Sequence, residues 1–307
     1  MTHWTASDIP DQTGRTAIVT GANSGLGLVT ATELARHGAH VILAVRRPAC
    51  GEAAADGIRA EVPGARLQVH TLDVASLASV RTFSAIIAAE FEAIDLLINN
   101  AGAENLAGRH STVDGFEFHL GTNMLGHFAL TGLLLDTVAR GHGPRIVSLS
   151  SITHKGAHLD FDDLQWEKRF NANRAYGASK LATTTFGIEL DRRLRAIGSP
   201  ILSTIAHPGL SRSNFIDSAW KDRGAAAQMM GRIFSAVATQ PTEQGALNQL
   251  HAATAPGVRS GDFYGPSGSG ERKGNVARVE TSKEAKEPTV GKHLWSAAEK
   301  LTGVTYL

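Results

Sequence analysis

Tyr176 and Lys180 stand four residues apart in "AYGASK" (175–180), among small residues. On a helix these two positions share one face, with Cβ atoms about 5–6 Å apart. Both side chains would then point into the same space. An ammonium beside a phenol favours the phenolate, so the phenol pKa of about 10 is expected to fall. A tyrosine adjusted in this way suits acid/base catalysis near neutral pH. The same residues also fit a buried tyrosine beside a lysine that snorkels to solvent. The spacing alone leaves both readings open.

A second group could hold a phosphate. "TGANSGLG" (20–27) follows an apolar β-branched run and opens a helical one. Gly21 permits a tight turn, Gly25 a close backbone approach, and Gly27 the packing of helix on strand. The free N–H groups of the helix start suit a pyrophosphate. The candidate cradle is thus Gly21, Asn23, Ser24, Gly25, Leu26 and Gly27. The spacing differs from G-x-G-x-x-G, so the strand-to-helix context carries the argument. About 20 residues on, an NAD site has an acid for the ribose 2′-hydroxyl. Here "AVRRP" supplies Arg46 and Arg47 instead. Arginine matches a 2′-phosphate in charge and fork geometry, which favours NADP (NADPH) over NAD. A solvated charge pair at a strand end is the alternative.

The elements that would position these groups alternate along the chain. Strands are expected at 15–22, 39–46, 66–74, 94–102, 144–151 and 200–209. Helices are expected at 27–38, 49–62 and 79–91, in two stretches over 113–140, and from Tyr176 to about Ile197. Nearly continuous apolar strands between helices imply an α/β fold, a Rossmann-type doubly wound parallel sheet with helices on both faces. No repeat or linker divides the chain, so residues 1–307 are expected to form a single dinucleotide-binding catalytic domain. The stretch 265–307 reads as a glycine-rich, then charged surface loop leading into a last helix near 293–303. Apolar and small residues at 210–240, among them Phe215, Met229 and Phe234, read either as a substrate lid or as an amphipathic helix pair.

Composition narrows the classes. With 42% hydrophobic and 19% charged residues, the 307-residue chain is of the soluble globular kind and can bury a sizeable core. A net charge of +1 gives no electrostatic reason to expect nucleic acid or an anionic membrane as partner. Cys50 is the only cysteine, which excludes an intrachain disulfide and a cysteine metal cluster and fits a reducing compartment. The N-terminus has no apolar stretch of signal-peptide length and no run approaches membrane-span length, so the expected location is cytoplasmic.

Together the motifs resemble the short-chain dehydrogenase/reductase family. "TGANSGLG", Asp73-Val74, "NNAG" (99–102), Asn123, "SLSS" (148–151), "YGASK" and "HPG" (207–209) occur in that family's order, over roughly residues 12–256. "DGFEFHLGTNMLGHFALTGLLL" and "FDDLQWEKRFNANRAYGASKLA" are similar to its retinol dehydrogenase-like branch, which also includes protochlorophyllide reductases. The resemblance implies that Asp73 and Val74 contact the adenine, and that Asn100, Ala101 and Gly102 pass beside the cofactor ribose. It implies that Asn123 holds a water linking Lys180 to solvent, and that Ser151 hydrogen-bonds the reacting oxygen. Tyr176 would exchange the proton, while Lys180 lowers its pKa and binds the ribose. Pro208, Gly209 and Leu210 would line the nicotinamide, with Ser213 where the family usually has threonine.

The chemistry fits those residue types. Hydride transfer to a carbonyl carbon builds negative charge on oxygen, where two hydrogen-bond donors must converge. The expectation is therefore interconversion of a small, fairly apolar carbonyl or alcohol. Reduction of a C=C bond, as in the protochlorophyllide reductases, and a non-catalytic nucleotide-binding scaffold are the alternatives. Homodimers or homotetramers are common in the family; the extra segment between Ser151 and Tyr176 could block or enlarge that surface. Two departures weaken the case for a retinoid substrate: no apolar anchor is seen, and Glu104 stands where the branch often has an apolar residue.

Other residues invite less. His207 is expected to pack rather than react. His119 and His127 flank Asn123 at i±4 but lack a further ligand at metal spacing, so no metal is expected. "SLSS" lacks a G-x-S-x-G elbow, which argues against a hydrolase.

Overall fold

The computed structural model describes residues 3–104, 108–211 and 239–307. Their strands are Thr16–Thr20 (β1), His40–Val45 (β2), Arg66–Thr71 (β3), Leu96–Asn99 (β4), Arg145–Leu149 (β5), Leu202–Ala206 (β6), Phe263–Pro266 (β7) and Val276–Arg278 (β8). One sheet holds all eight in the order β3-β2-β1-β4-β5-β6-β7-β8. Neighbours pair in parallel, except that β8 runs antiparallel to β7. Strand order reverses between β1 and β4, where Val19 pairs with Ile98 and, on its other side, with Leu43.

Alternation within the strands builds a core on each face. Ile18, Ile42, Leu97 and Ile146 face the same cluster as Phe83, Phe128, Phe186 and Trp295. Those aromatics come from helices Leu77–Glu90 (α3), Gly126–Ala139 (α4), Ala172–Ala196 (α5) and Pro288–Thr302 (α7). Val19, Leu43, Ile98 and Val147 face the other cluster, with Leu34, Ile58 and Leu250. Helices Gly25–Arg36 (α1), Pro48–Glu61 (α2) and Thr242–Thr254 (α6) supply these. Burial on both faces explains why the strands read as unbroken apolar runs.

Three expectations change. The two helical stretches over 113–140 are one run: a turn at Phe118–Leu120 and a π-helical turn at Gly121–Leu125 continue into α4 through helical backbone angles. Before it, Gly115 (φ +86°) makes a tight turn closed by Thr112 N–H to Phe116 O at 2.8 Å. The 265–292 stretch is not all loop, because β7 continues the sheet and β8 pairs with it in a hairpin. Gly265 is required there: a Cβ would come within 2.1 Å of the His207 ring. The last helix starts at Pro288, a residue suited to the first turn. The candidate lid at 210–240 lies almost wholly outside the described residues.

Candidate active site

A cleft of about 650 Å³ opens at the carboxyl ends of the central strands, on the point where strand order reverses. That is where open α/β sheets take their ligands. The glycine turn after β1 forms its floor, and each glycine has a distinct reason. Gly21 has φ +68°, and a Cβ on it would meet Ala101 Cα at 3.1 Å. Gly25 has φ +54° and open space where a side chain would be. Gly27 lies against the turn itself, its Cβ position only 2.4 Å from Gly21 O and 2.5 Å from Asn100 Nδ2. Asn23, Ser24 and Leu26 line the cleft beside them. Ser24 precedes α1 without capping it by its side chain, so the first N–H groups of the helix are left for an anion.

The neighbouring loops are tied to this turn. Thr20 Oγ1 accepts the N–H groups of Asn100 (2.9 Å) and Ala101 (2.8 Å), and Asn100 Nδ2 donates to Thr20 O at 2.7 Å. Asn99 Nδ2 donates to Thr131 Oγ1 at 3.1 Å, anchoring β4 to α4. Asn100, Ala101 and Gly102 thus run along the cleft wall. Asp73 and Val74, after β3, line it further out, with Asp73 Oδ1 accepting from Ala75 N–H at 3.0 Å. Arg46 and Arg47, at the end of β2, line its mouth and are exposed.

At the other end of the cleft are Ser151, Tyr176 and Lys180. Ser151 and Tyr176 are hydrogen-bonded through their side chains. The Ser150 hydroxyl is engaged elsewhere, contacting Lys180 O at 3.0 Å and Thr184 Oγ1 at 2.7 Å, so of the adjacent pair Ser150–Ser151 it is Ser151 whose hydroxyl is offered to the cleft. Lys180 is buried, with Nζ 5.9 Å from the centre of the Tyr176 ring and donating to Leu149 O at 3.0 Å. Asn123 sits in the π-helical turn, behind the cleft wall. Its Oδ1 accepts from Ala103 N–H at 2.8 Å, and its Nδ2 donates to Ala103 O (3.1 Å) and Ser179 Oγ (2.9 Å). Gly102 fits between Asn123 Oδ1 and Lys180 Nζ, each 3.3 Å from where a Cβ would be.

Electrostatics corrects one expectation. The Tyr176 phenol is not pulled below its ordinary value but pushed well above it, by burial first and Glu104 second, with the Ser151 hydrogen bond opposing. Lys180 pays the same desolvation: burial lowers its pKa to about 8, and its ammonium is aimed at the Leu149 carbonyl. Shared helix face brought the pair together; shared burial reversed the sign.

The 207–211 loop closes this end. Pro208, Gly209, Leu210 and Ser211 line the cleft, whereas Ser213 falls outside the described residues. Gly209 N–H donates to His207 Nδ1 at 3.2 Å, which leaves His207 Nε2 to donate to Glu271 Oε2 at 3.0 Å. Glu271 also pairs with Lys155, and Leu210 N–H donates to Arg272 O at 2.7 Å. A Cβ on Gly209 (φ +65°) would meet that same Arg272 O at 2.4 Å. The loop is therefore held by the β7–β8 hairpin, a contact across more than 60 positions that no local motif signals. His127 is buried and engaged by Thr20 Oγ1 (3.0 Å) and Asn123 O (3.3 Å), and burial lowers its pKa to about 4. His119 Nδ1 is 2.8 Å from Glu117 Oε1. Among the described residues no three His, Cys, Asp or Glu side chains gather as a metal site.

Residues 15–224 match the family model for short chain dehydrogenases. Over 295 residues the chain is 39% identical to retinol dehydrogenase 13 of Homo sapiens, covering 95% of this chain and 85% of that protein. This chain is a short-chain dehydrogenase/reductase. Polyprenol dehydrogenase of Mus musculus is 37% identical to it over 299 residues, 96% of this chain and 86% of the relative. The crystal structure of an uncharacterized protein from Mycobacterium paratuberculosis superposes with a TM-score of 0.81 at 38% identity, covering both chains in full. Within the family the chain belongs to the retinol dehydrogenase-like branch, and it is an oxidoreductase acting on CH–OH and C=O groups. Short-chain dehydrogenases/reductases use NAD(P), and the cradle just described fits a dinucleotide: an open glycine at the turn, free helix N–H groups and two guanidinium groups at the mouth. Among the described residues no helix is long and apolar enough to cross a membrane. Sequence reasoning left Thr20, Phe118, Thr122, Ile152 and Thr153 off the cleft, although all line it. Thr20 opens the glycine motif and Ile152 follows "SLSS", so both were within local reach; Phe118 and Thr122 lie on the helical run far from any quoted glycine turn.

Proposed function

We propose that this short-chain dehydrogenase/reductase is NADP(H)-dependent and interconverts a carbonyl and an alcohol on a fairly apolar substrate, with Tyr176 as acid/base. The observation that carries the reading is the hydrogen-bonded Ser151–Tyr176 pair at one end of a cleft whose other end bears Arg46 and Arg47. When bound, the nicotinamide group supplies or accepts the hydride. The turn of Gly21, Asn23, Ser24, Gly25, Leu26 and Gly27 would hold the pyrophosphate. Arg46, with Arg47 beside it, would meet the 2′-phosphate, Asp73 and Val74 the adenine, and Asn100, Ala101 and Gly102 the ribose side. Pro208, Gly209, Leu210 and Ser213 would border the nicotinamide.

The chain's own groups then divide the work. The Ser151 and Tyr176 hydroxyls converge on one oxygen and donate to it as negative charge develops there. Tyr176, kept protonated by burial, is the proton donor in reduction and the acceptor in oxidation. Lys180, charged below about pH 8, would stabilise the phenolate left behind and bind ribose hydroxyls. Asn123 holds the Ala103 backbone and Ser179 in place beside them. Phe118, Leu149 and Ile152 give the substrate end its apolar lining.

The test is consumption of NADPH and of NADH by purified protein with retinal, aliphatic and aromatic aldehydes and steroid ketones. NADPH-preferred turnover of at least one class supports the reading. NADH preferred on every substrate contradicts the cofactor assignment, and nucleotide binding without any turnover contradicts the carbonyl assignment.

A further inference from the structure

Among the described residues, those lining the cleft with Ser151 and Tyr176 include Ala103, Phe118, Thr122, Leu149 and Ile152, and also an acid, Glu104, whose charge acts on Tyr176. A carboxylate in such a wall costs stability unless something compensates it. Burial raises its pKa to about 7, and the basic groups that oppose this are His119 and Lys180. His119 Nδ1 lies against Glu117, both nearly wholly buried, and Lys180 Nζ donates to Leu149 O. Glu104 in turn pushes the Tyr176 phenol further from ionising. Its burial therefore costs the fold something, and its charge works against the phenolate.

We propose that Glu104 sets the substrate class: its carboxyl accepts a hydrogen bond from a donor group carried beside the reacting carbonyl, a hydroxyl in the simplest case. Hydroxyketones and hydroxyaldehydes are then preferred over plain hydrocarbon chains bearing a carbonyl alone. The assignment rests on the carbonyl–alcohol reading above. The polar end of the substrate lies at Glu104, and its apolar remainder against Phe118 and Ile152. A site built to pair a substrate hydroxyl discriminates strongly against the analogue without it, because the buried acceptor is then left unpaired.

The experiment compares 1-hydroxy-2-octanone with 2-octanone under NADPH, in wild type, Glu104→Gln and Glu104→Leu, with NADPH binding followed by fluorescence titration. Wild type is expected to favour the hydroxyketone by about tenfold or more in kcat/KM, chiefly through KM. Glu104→Leu should abolish that preference, and Glu104→Gln, whose amide oxygen still accepts, should keep part of it. Wild-type turnover of both ketones without preference overturns the Glu104 assignment alone. So does a preference that survives in Glu104→Leu. If wild type binds NADPH yet reduces neither ketone, nor any carbonyl of the wider panel, the carbonyl reading fails and takes this assignment with it. Should Glu104→Leu fail to bind NADPH, the near-isosteric Glu104→Gln decides: a reduced preference supports the assignment and an unchanged one overturns it.

Discussion

Lys180 enters the cleft buried, and burial decides how it titrates. Its pKa of about 8, against an ordinary 10.5, means the ammonium is present below pH 8 and is lost as pH rises through it. NADPH-driven reduction should therefore fall as pH is raised across about 8. Lys180→Arg, whose guanidinium stays charged, should flatten that fall at a lower absolute rate. A variant with the wild-type profile would contradict the assignment. At the cleft mouth, Arg46 and Arg47 are exposed and free to reach a phosphate. Replacing both by alanine should weaken NADPH binding by about tenfold or more while leaving NADH binding nearly unchanged. Equal weakening of both nucleotides, measured by fluorescence titration, would contradict the 2′-phosphate role. The i,i+4 spacing of Tyr176 and Lys180 was legible in six residues. The direction of the tyrosine's pKa was not, because it depends on burial by distant segments and on Glu104, neither of which spacing encodes.

At the scale of elements, the glycine turn and the β7–β8 hairpin brace the cleft from opposite ends. A Cβ at Gly27 would fall 2.4 Å from the Gly21 carbonyl, which is backbone and cannot rotate away. Gly27→Ala should cost about 1–3 kcal/mol of stability through overpacking and weaken dinucleotide binding with it, read by denaturant unfolding and NADPH titration. On the hairpin side, hydrogen bonding from His207, then from Lys155, holds the Glu271 carboxyl down at about pKa 2. A carboxylate depressed in this way stabilises the fold above its ordinary 4.5, and that contribution is lost as pH falls from 4.5 toward 2. Glu271→Gln should accordingly melt below wild type at pH 7, with the gap in Tm closing toward pH 3. A gap independent of pH would show that the ion pair is not what holds the hairpin. The turn could be read locally, since its glycines, strand and helix are contiguous. The hairpin could not: "FYGP" is short, carries Gly and Pro, and is a strand because β6 and β8 lie on either side of it.

For the whole molecule, the order of strands places every motif at one end of the sheet. The turn after β1, the arginines after β2, Asp73 after β3, the Asn100 segment after β4, Ser151 after β5 and Pro208 after β6 all reach a single cleft. Strand–helix alternation and the resemblance of the motifs were enough to anticipate this arrangement, because a parallel sheet puts all its strand ends on one side. They did not anticipate the continuous helical run into α4, which passes through a π-helical turn at Asn123 after the local turn at Gly115. In the proposed reaction this cleft transfers hydride with Tyr176 as its proton carrier. The most direct test compares wild type with Tyr176→Phe for NADPH-driven reduction of the best carbonyl substrate, alongside NADPH affinity. A loss of about 10²–10⁴-fold in kcat is expected, with affinity little changed. A phenylalanine variant that reduces the substrate at close to the wild-type rate would contradict it.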